Sequence, residues 1–323
     1  MAPRISELSI RELRARFDDP DAPVRPEVLS ELAVDTRRGA QALYQTLRRR
    51  REAALAERAR IEALASAERE LWARGARRVA GIDEAGMAPL AGPVVAAAVV
   101  LPPHTVIEGI DDSKRLAADR RDELAAEIRR RAAGVAIGVA TVEDIDRVNI
   151  YWAGLLAMRR AAVALPEEPE HLLVDARTIP ELSIPQRACP KGDENHLSIA
   201  AASIIAKTHR DRLMNELDRA YPGYGFARHK GYPTPEHQRA IREAGPCPAH
   251  RTGFAAIREL TGACSPTFYA LSRELDSADR GTDLVALGER IGEARSALSQ
   301  DEYRKLRTIL QRRRRARGSR GVC

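Results

Sequence analysis

The middle of this chain predicts an α/β fold, on three observations. From about Arg77 onward, short apolar runs alternate with amphipathic helical patterns. The first two runs, residues 79–83 and 94–101, are joined by a short Gly/Pro-rich connection that lets them pair as antiparallel neighbours. Two runs, 79–83 and 171–175, end on acids. Helical patterns flank this core on both sides. The expected division is a helical N-terminal extension over 1–75, the α/β core over 76–220, a loop and helical part of the same module over 221–262, and a helical extension with a basic tail over 263–323.

Each element has its own signal. In the N-terminal extension, Leu13 and Phe17 fall at helical spacing, Pro20, Pro23 and Pro26 punctuate, and Leu29, Leu32, Leu43 and Leu47 resume the pattern. A long charged helix is expected over 41–72, with Gly75 closing it. Its four consecutive arginines, 48–51, read as a solvated face, with phosphate contact as the alternative. The run G-I-D-E-A-G-M-A-P-L-A-G-P-V-V-A-A-A-V-V-L, 81–101, then supplies two strands with Asp83 and Glu84 at the end of the first. Two carboxylates buried there without counter-charge would carry a heavy desolvation cost. They are therefore either a cation site or ordinary acids on a solvated strand end.

A third strand is expected over 135–141. Ahead of it lie Asp111-Asp112-Ser113-Lys114-Arg115 and a helix carrying Leu116, Leu124 and Ile128. Thr141 with Asp144 three residues on matches a capping box, and an apolar helix over 149–165 ends at Pro166 and Pro169. H-L-L-V-D, 171–175, is a strand ending on Asp175, and 184–189 is a further strand leading into Lys191-Gly192-Asp193. A helix over 196–220 follows. Ser203, Lys207 and Arg210 share one of its faces at i, i+4 and i+7, as a phosphate-holding stripe or a salt-bridged surface. The loop 221–235 holds four aromatics in a chain that is only 4% aromatic, interleaved with Arg228, His229 and Lys230. It suits stacking on a sugar or base beside phosphate, or a packed turn with a tyrosine plug. Thr234 and Pro235 open the next helix. Near the end, Ser299 and Glu302 repeat the capping box, and the basic run from Arg312 reads as a disordered arm that raises non-specific nucleic-acid affinity at low salt.

Composition narrows the function. With 323 residues and a net charge of +7, the chain can build a sizeable core and favours a polyanionic partner. The start, MAPRISELSI, lacks an apolar signal core, and no run of about 18 apolar residues occurs elsewhere, so a soluble, cytoplasmic protein without a membrane partner is expected. Cys189, Cys247, Cys264 and Cys323 are scattered, which argues against a zinc site or disulfide framework.

The run 81–99, the D-D-S-K-R block, L-V-D, K-G-D followed by S-I-A-A-A-S-I-I-A-K-T-H-R-D, and Y-G-F-A-R-H-K-G-Y-P-T together resemble ribonuclease HII over about residues 72–260. The N-terminal helices resemble an extension found on some bacterial members. The resemblance implies an RNase H-like mixed sheet flanked by helices. It also implies metal-dependent endonucleolytic cleavage of RNA in RNA/DNA hybrids, or at ribonucleotides within duplex DNA, leaving a 3′-hydroxyl and a 5′-phosphate. It assigns Asp83, Glu84, Asp175 and Asp193 as catalytic metal ligands, an oxygen-only set that suits two Mg2+ or Mn2+ ions. It places Lys207 and Arg210 on backbone phosphates and Tyr232 on the sugar beside the cleaved bond. A monomer acting in replication and repair is expected.

One departure is visible. Most members carry Gly-Arg-Gly after the acid pair, a loop that meets the ribose 2′-hydroxyl, whereas this chain has Gly86-Met87-Ala88. Met87 removes a bidentate donor, and Ala88 adds a Cβ that restricts positive φ and close approach. Weaker recognition of an isolated ribonucleotide follows, with longer hybrids less affected. The alternative of another class is a nuclease-like protein that binds hybrids or duplexes with junction cleavage altered or lost. Four acids facing phosphate without metal would hinder such a binder. The ribonuclease HIII type fits the H-K-G-Y loop and the acid pattern less well.

Overall fold

The computed structural model describes residues 5–19, 22, 24–262, 264–279 and 282–318. Pro20, Pro23 and Cys323 lie outside these residues.

The N-terminal region forms helices α1 (Ile10–Arg16), α2 (Pro26–Ala33) and α3 (Arg38–Leu64), which bury Leu13, Leu32, Ala40 and Leu47 together. The single helix expected over 41–72 is two. α3 ends at Leu64, and α4 (Ser66–Ala73) starts after a break at Ala65. The break has a packing cause: Ile61 and Ala65 sink into one core cluster while Ala67 and Leu71 pack into another, beside Val79, Leu173 and Ile199. Arg48 pairs with Glu52 at 3.4 Å and Arg51 donates to the Val24 carbonyl at 3.4 Å, so these arginines serve the helical region itself.

The sheet contains β1 (Val79–Ala85), β2 (Val94–Val100), β3 (Gly134–Ala140), β4 (His171–Asp175) and β5 (Gln186–Cys189), in the order β3-β2-β1-β4-β5. β1 pairs antiparallel with β2 and parallel with β4, which makes the sheet mixed. Between and after the strands come α5 (Ala118–Arg131), α6 (Val142–Val163), α7 (Gly192–Asn195) and α8 (Leu197–Ala220). One face of the sheet, with Ala80, Ile82 and Ala96, packs on Leu155, Ala157 and Met158 of α6. The other, with Ala97 and Val99, packs on α8 and α5. The small residues permit this: a Cβ at Gly81 would lie 2.1 Å from the Ser198 carbonyl carbon, so the start of α8 rests directly on β1.

Two anchors fix these helices. Glu68 of α4 is buried and accepts hydrogen bonds from the Ser198 N–H at 2.8 Å and the Ser198 hydroxyl at 2.6 Å, capping the first turn of α8 from outside. The Thr141–Asp144 capping box opens α6 as expected, but the helix is interrupted at Asn149, with φ 69° and ψ 167°. The helix expected from residue 149 is thus the second half of α6.

The chain continues through α9 (Phe226–His229), α10 (Pro235–Ala244), α11 (Ala255–Leu260), α12 (Pro266–Ser277), α13 (Leu284–Glu293) and α14 (Gln300–Gly318). The last three bury Phe268, Leu275, Leu287, Ile291 and Leu306 in their own cluster. Here the disordered-arm expectation fails up to residue 318. The helix begun by the Ser299–Glu302 box runs on, and Arg313 and Arg314 donate to the Asp276 and Leu284 carbonyls, both at 2.8 Å. Arginine is a good helix former, and these carbonyls lie at the end of α12 and the start of α13. No helix among the described residues is long and apolar enough to cross a membrane.

Candidate metal centre and nucleic-acid cleft

The parallel register pairs Ile82 with Val174, so Asp83 and Asp175 emerge side by side from β1 and β4. Oxygens of Asp83, Glu84 and Asp175 all lie within 4.8 Å of one another. Burial first, then the neighbouring Glu84 and Asp175, push the Asp83 carboxyl well above its usual range. Burial also raises Glu84 to about 7, with Arg177 opposing and Asp175 reinforcing the shift. Asp175 is raised by burial and held back by the Gly192 N–H, which donates to it at 2.7 Å. One buried oxygen of Glu84, Oε2, has no hydrogen-bond partner. An orphaned carboxylate oxygen facing two other acids is what a hard divalent cation satisfies, so the donor set fits such an ion.

Asp193, the fourth expected ligand, stands apart from this trio. It lies in the first turn of α7 and pairs with Lys114 Nζ at 3.1 Å. Gly192, beside it, donates to Asp175, so backbone keeps the two acids close.

The acids open into a cleft of about 230 Å3 that is also lined by Gly86, Met87, Ala88, Ser203, Lys207, Arg210 and Tyr232. All the predicted substrate-binding residues thus share one wall, but not one role. Ser203 is buried and shares a 2.9 Å hydrogen bond with Ser113. Lys207 reaches the cleft while paired with Asp211 at 2.6 Å. Tyr232 is 42% exposed and free to meet a ligand.

Arg210 departs from its expected phosphate contact. Its side chain is 1% exposed, and its guanidinium donates to the carbonyls of Pro93 at 3.1 Å, Ala91 at 3.1 Å and Lys230 at 3.0 Å. The 86–93 loop lies over it. A second buried guanidinium, Arg251, grips the same loop through the carbonyls of Gly86, Met87, Pro89, Gly92 and Pro93. Gly86 has φ 102°, and a Cβ there would lie 2.2 Å from Arg210 Nε, so only glycine fits. The backbone half of the expected conflict at Ala88 does not arise: this exposed residue is not among those with positive φ. Met87 lays its sulfur against Gly154 of α6.

The aromatic loop divides likewise. Tyr224 and Phe226 are buried and stacked, with centroids 5.5 Å apart, so the packed-turn reading holds for them. Arg228 pairs with Glu236, and Lys230 Nζ binds Asn215 at 2.5 Å. Three buried histidines fill the space beneath. His250 Nδ1 lies 3.0 Å from the Cys247 N–H and 3.2 Å from the Cys247 carbonyl, and its Nε2 lies 3.0 Å from His237 Nε2. His237 Nδ1–H donates to the Tyr232 carbonyl at 2.9 Å. Burial holds all three imidazoles low, His250 at about 4.

These opposite shifts set a pH profile. The histidines protonate in the unfolded chain near pH 6.5 but resist it when folded, so stability falls as pH drops below about 6.5. The carboxylates bind protons more readily when folded, so stability falls as pH rises through about 7, the Glu84 value. Without metal, the urea midpoint should therefore not rise between about pH 6.5 and 8.5, and added Mg2+ should lift the alkaline side. A midpoint still climbing at the highest pH without metal would contradict this balance.

Four residues at or beside the site, Ser113, Lys114, Arg177 and Arg251, were not among those expected there. The first two sit in the visible D-D-S-K-R block. Arg177, whose guanidinium lies 4.0 Å from Glu84, and Arg251 carry no spacing signal.

The chain is also similar to known proteins. A family model described as Ribonuclease HII matches residues 80–257, and one for the Ribonuclease HII N-terminal domain matches 9–72. Ribonuclease HII from Myxococcus xanthus is 55% identical over 260 residues, covering 80% of this chain and 89% of that protein. Its counterpart from an Anaeromyxobacter strain is 51% identical over 258 residues, covering 80% and 82%. The crystal structure of ribonuclease H2 from Pyrococcus horikoshii aligns with a TM-score of 0.51 at 26% identity, covering 58% of this chain and 98% of that one.

Proposed function

The chain belongs to the ribonuclease HII family and is a ribonuclease H endonuclease, and on that premise we propose that it cleaves with Mg2+ or Mn2+ held by Asp83, Glu84, Asp175 and Asp193. The observation that carries this reading is the trio of carboxylates within 4.8 Å at the ends of adjacent parallel strands, in a cleft shared with Lys207 and Tyr232. Such ions, when bound, activate water and stabilise the departing oxygen of a phosphodiester.

The protein's own residues do the rest. Asp83, Glu84 and Asp175 supply preorganised negative charge whose mutual repulsion is relieved on loading. Asp193, paired with Lys114, completes the set. Lys207 meets a backbone phosphate by exchanging its contact with Asp211. Tyr232 stacks on the sugar next to the cut. Arg210 acts from beneath, by fixing the loop that carries Gly86, Met87 and Ala88. Products carry a 3′-hydroxyl and a 5′-phosphate.

The loop also bears on substrate choice. Met87 turns toward α6 and brings no cation to the cleft, while the exposed Cβ of Ala88 limits close approach to a ribose. RNA/DNA hybrids should therefore be cut faster than duplex DNA holding one ribonucleotide. Met87→Arg combined with Ala88→Gly should raise single-ribonucleotide cleavage about tenfold, the worth of one charge-assisted contact. A wild type that already prefers the single ribonucleotide, with no gain from the double change, would refute this preference.

A further inference from the structure

On the α6 side of the sheet stands a group of residues that the cleft does not include. Tyr151 and Trp152 are 49% and 50% exposed, and their rings meet edge to face at 5.3 Å. Large exposed aromatics are costly in a chain with so few, and these two lie together. The backbone is bent to place them. Asn149, with φ 69° and ψ 167°, occupies a region that is essentially reserved for glycine, and its side-chain oxygen accepts from the N–H groups of Tyr151 at 3.0 Å and Trp152 at 3.3 Å. Strain of this kind persists only where surrounding structure enforces it. Asp146, one turn earlier, is fastened by Thr252 and Gly253, directly after the loop-gripping Arg251.

Arg177 links this pair to the acids. Ala176, immediately after Asp175, is itself in the left-handed region at φ 56°, which turns Arg177 back across the strand end. Its guanidinium lies 5.2 Å from the Tyr151 ring centre and 4.0 Å from Glu84. The latter is a loose pair that leaves donors for a phosphate.

α6 and α8 cover opposite faces of the sheet, so Tyr151, Trp152 and Arg177 flank the carboxylates from one side, and Lys207 from the other. We propose that Tyr151, Trp152 and Arg177 form a second nucleotide-binding station for the cleaved strand, with Trp152 stacking on a base or sugar and Arg177 meeting the adjoining phosphate. This rests on the nuclease reading above. A strand lying across the acids between Lys207 and Arg177 passes this flank, where an aromatic face and a guanidinium match its alternating rings and charges.

The chain's two tryptophans, Trp72 and Trp152, make the test direct. With divalent ions chelated, an RNA/DNA hybrid is titrated against the protein while anisotropy of a label on the hybrid reports binding. Trp152 emission, isolated in Trp72→Phe or by difference from Trp152→Phe, should be quenched along the same isotherm. In steady-state cleavage, Trp152→Ala should raise KM about tenfold with kcat little changed. Trimming the hybrid beyond the cut at one end should abolish that difference, whereas trimming the other end should abolish the corresponding effect of Tyr232→Ala. If the hybrid binds and is cut while Trp152 emission and the Trp152→Ala KM stay at their wild-type values, the station is overturned and the nuclease reading stands. If no hybrid binds or is cut, both fall.

Discussion

Asp83→Asn is expected to reduce cleavage of an RNA/DNA hybrid by at least about a thousandfold, equivalent to roughly 4 kcal/mol of transition-state stabilisation. The substitution is nearly isosteric. The new amide can still accept from the Glu84 N–H, which now donates to Asp83 at 2.7 Å, so the strand end should keep its shape. What disappears is one of three charges within 4.8 Å, and with it most of the affinity for a divalent cation. Without metal the same change should stabilise the fold above pH 7, because Asp83 is buried beside Glu84 and its ionisation there is opposed by that neighbour. Lost activity with a raised melting temperature is thus the signature of a metal centre, since a merely structural acid would lose both. Nicking of a labelled hybrid in Mg2+ and in Mn2+, with melting curves in chelator, measures the pair. Cleavage above a tenth of wild type would remove Asp83 from the chemistry. Wild-type binding without any metal-dependent cut would favour the binding-protein alternative.

The acids were legible because the sheet has a simple grammar. Apolar runs of strand length ending in Asp83-Glu84 and Asp175 place carboxylates at strand ends, and only the parallel pairing of β1 with β4 was needed to bring them together. Depth was not legible. Spacing put Arg210 on one helical face with Ser203 and Lys207, but whether that face meets water or backbone depends on carbonyls of Ala91 and Pro93, more than a hundred positions away. The same limit hid Arg251. The break at Ala65 lacks Gly or Pro, since tertiary packing rather than propensity causes it. At the C-terminus, composition suggested an unstructured basic arm, while the carbonyls that receive Arg313 and Arg314 come from other helices.

Arg251→Met should be the most destabilising single change near the cleft, by about 3–5 kcal/mol, because removing one partner of a buried charged network strands the other. Methionine keeps an unbranched apolar stem in the site but donates nothing, leaving the carbonyls of Gly86, Met87, Pro89 and Gly92 without their arginine donor, while Pro93 keeps Arg210. Arg251 is held down to about 9 by burial and by Arg210, yet it remains charged at neutral pH, so its loss also removes the positive pole around which those carbonyls converge. A melting temperature lower by roughly 10 °C is expected, and Arg251→Lys should recover little, since an ammonium cannot span the fork of acceptors. Activity at temperatures where the variant is folded should fall through kcat more than KM, because the loop positions Gly86 beside Asp83 and Glu84 rather than adding affinity of its own. Arg210→Met should act on the same element. Both guanidiniums donate to the Pro93 carbonyl, which only the double change leaves without either, so the two losses should couple rather than simply add. Strict additivity in the double variant would mean that the arginines support the loop independently, and an unchanged melting temperature in Arg251→Met alone would mean that they do not support it at all.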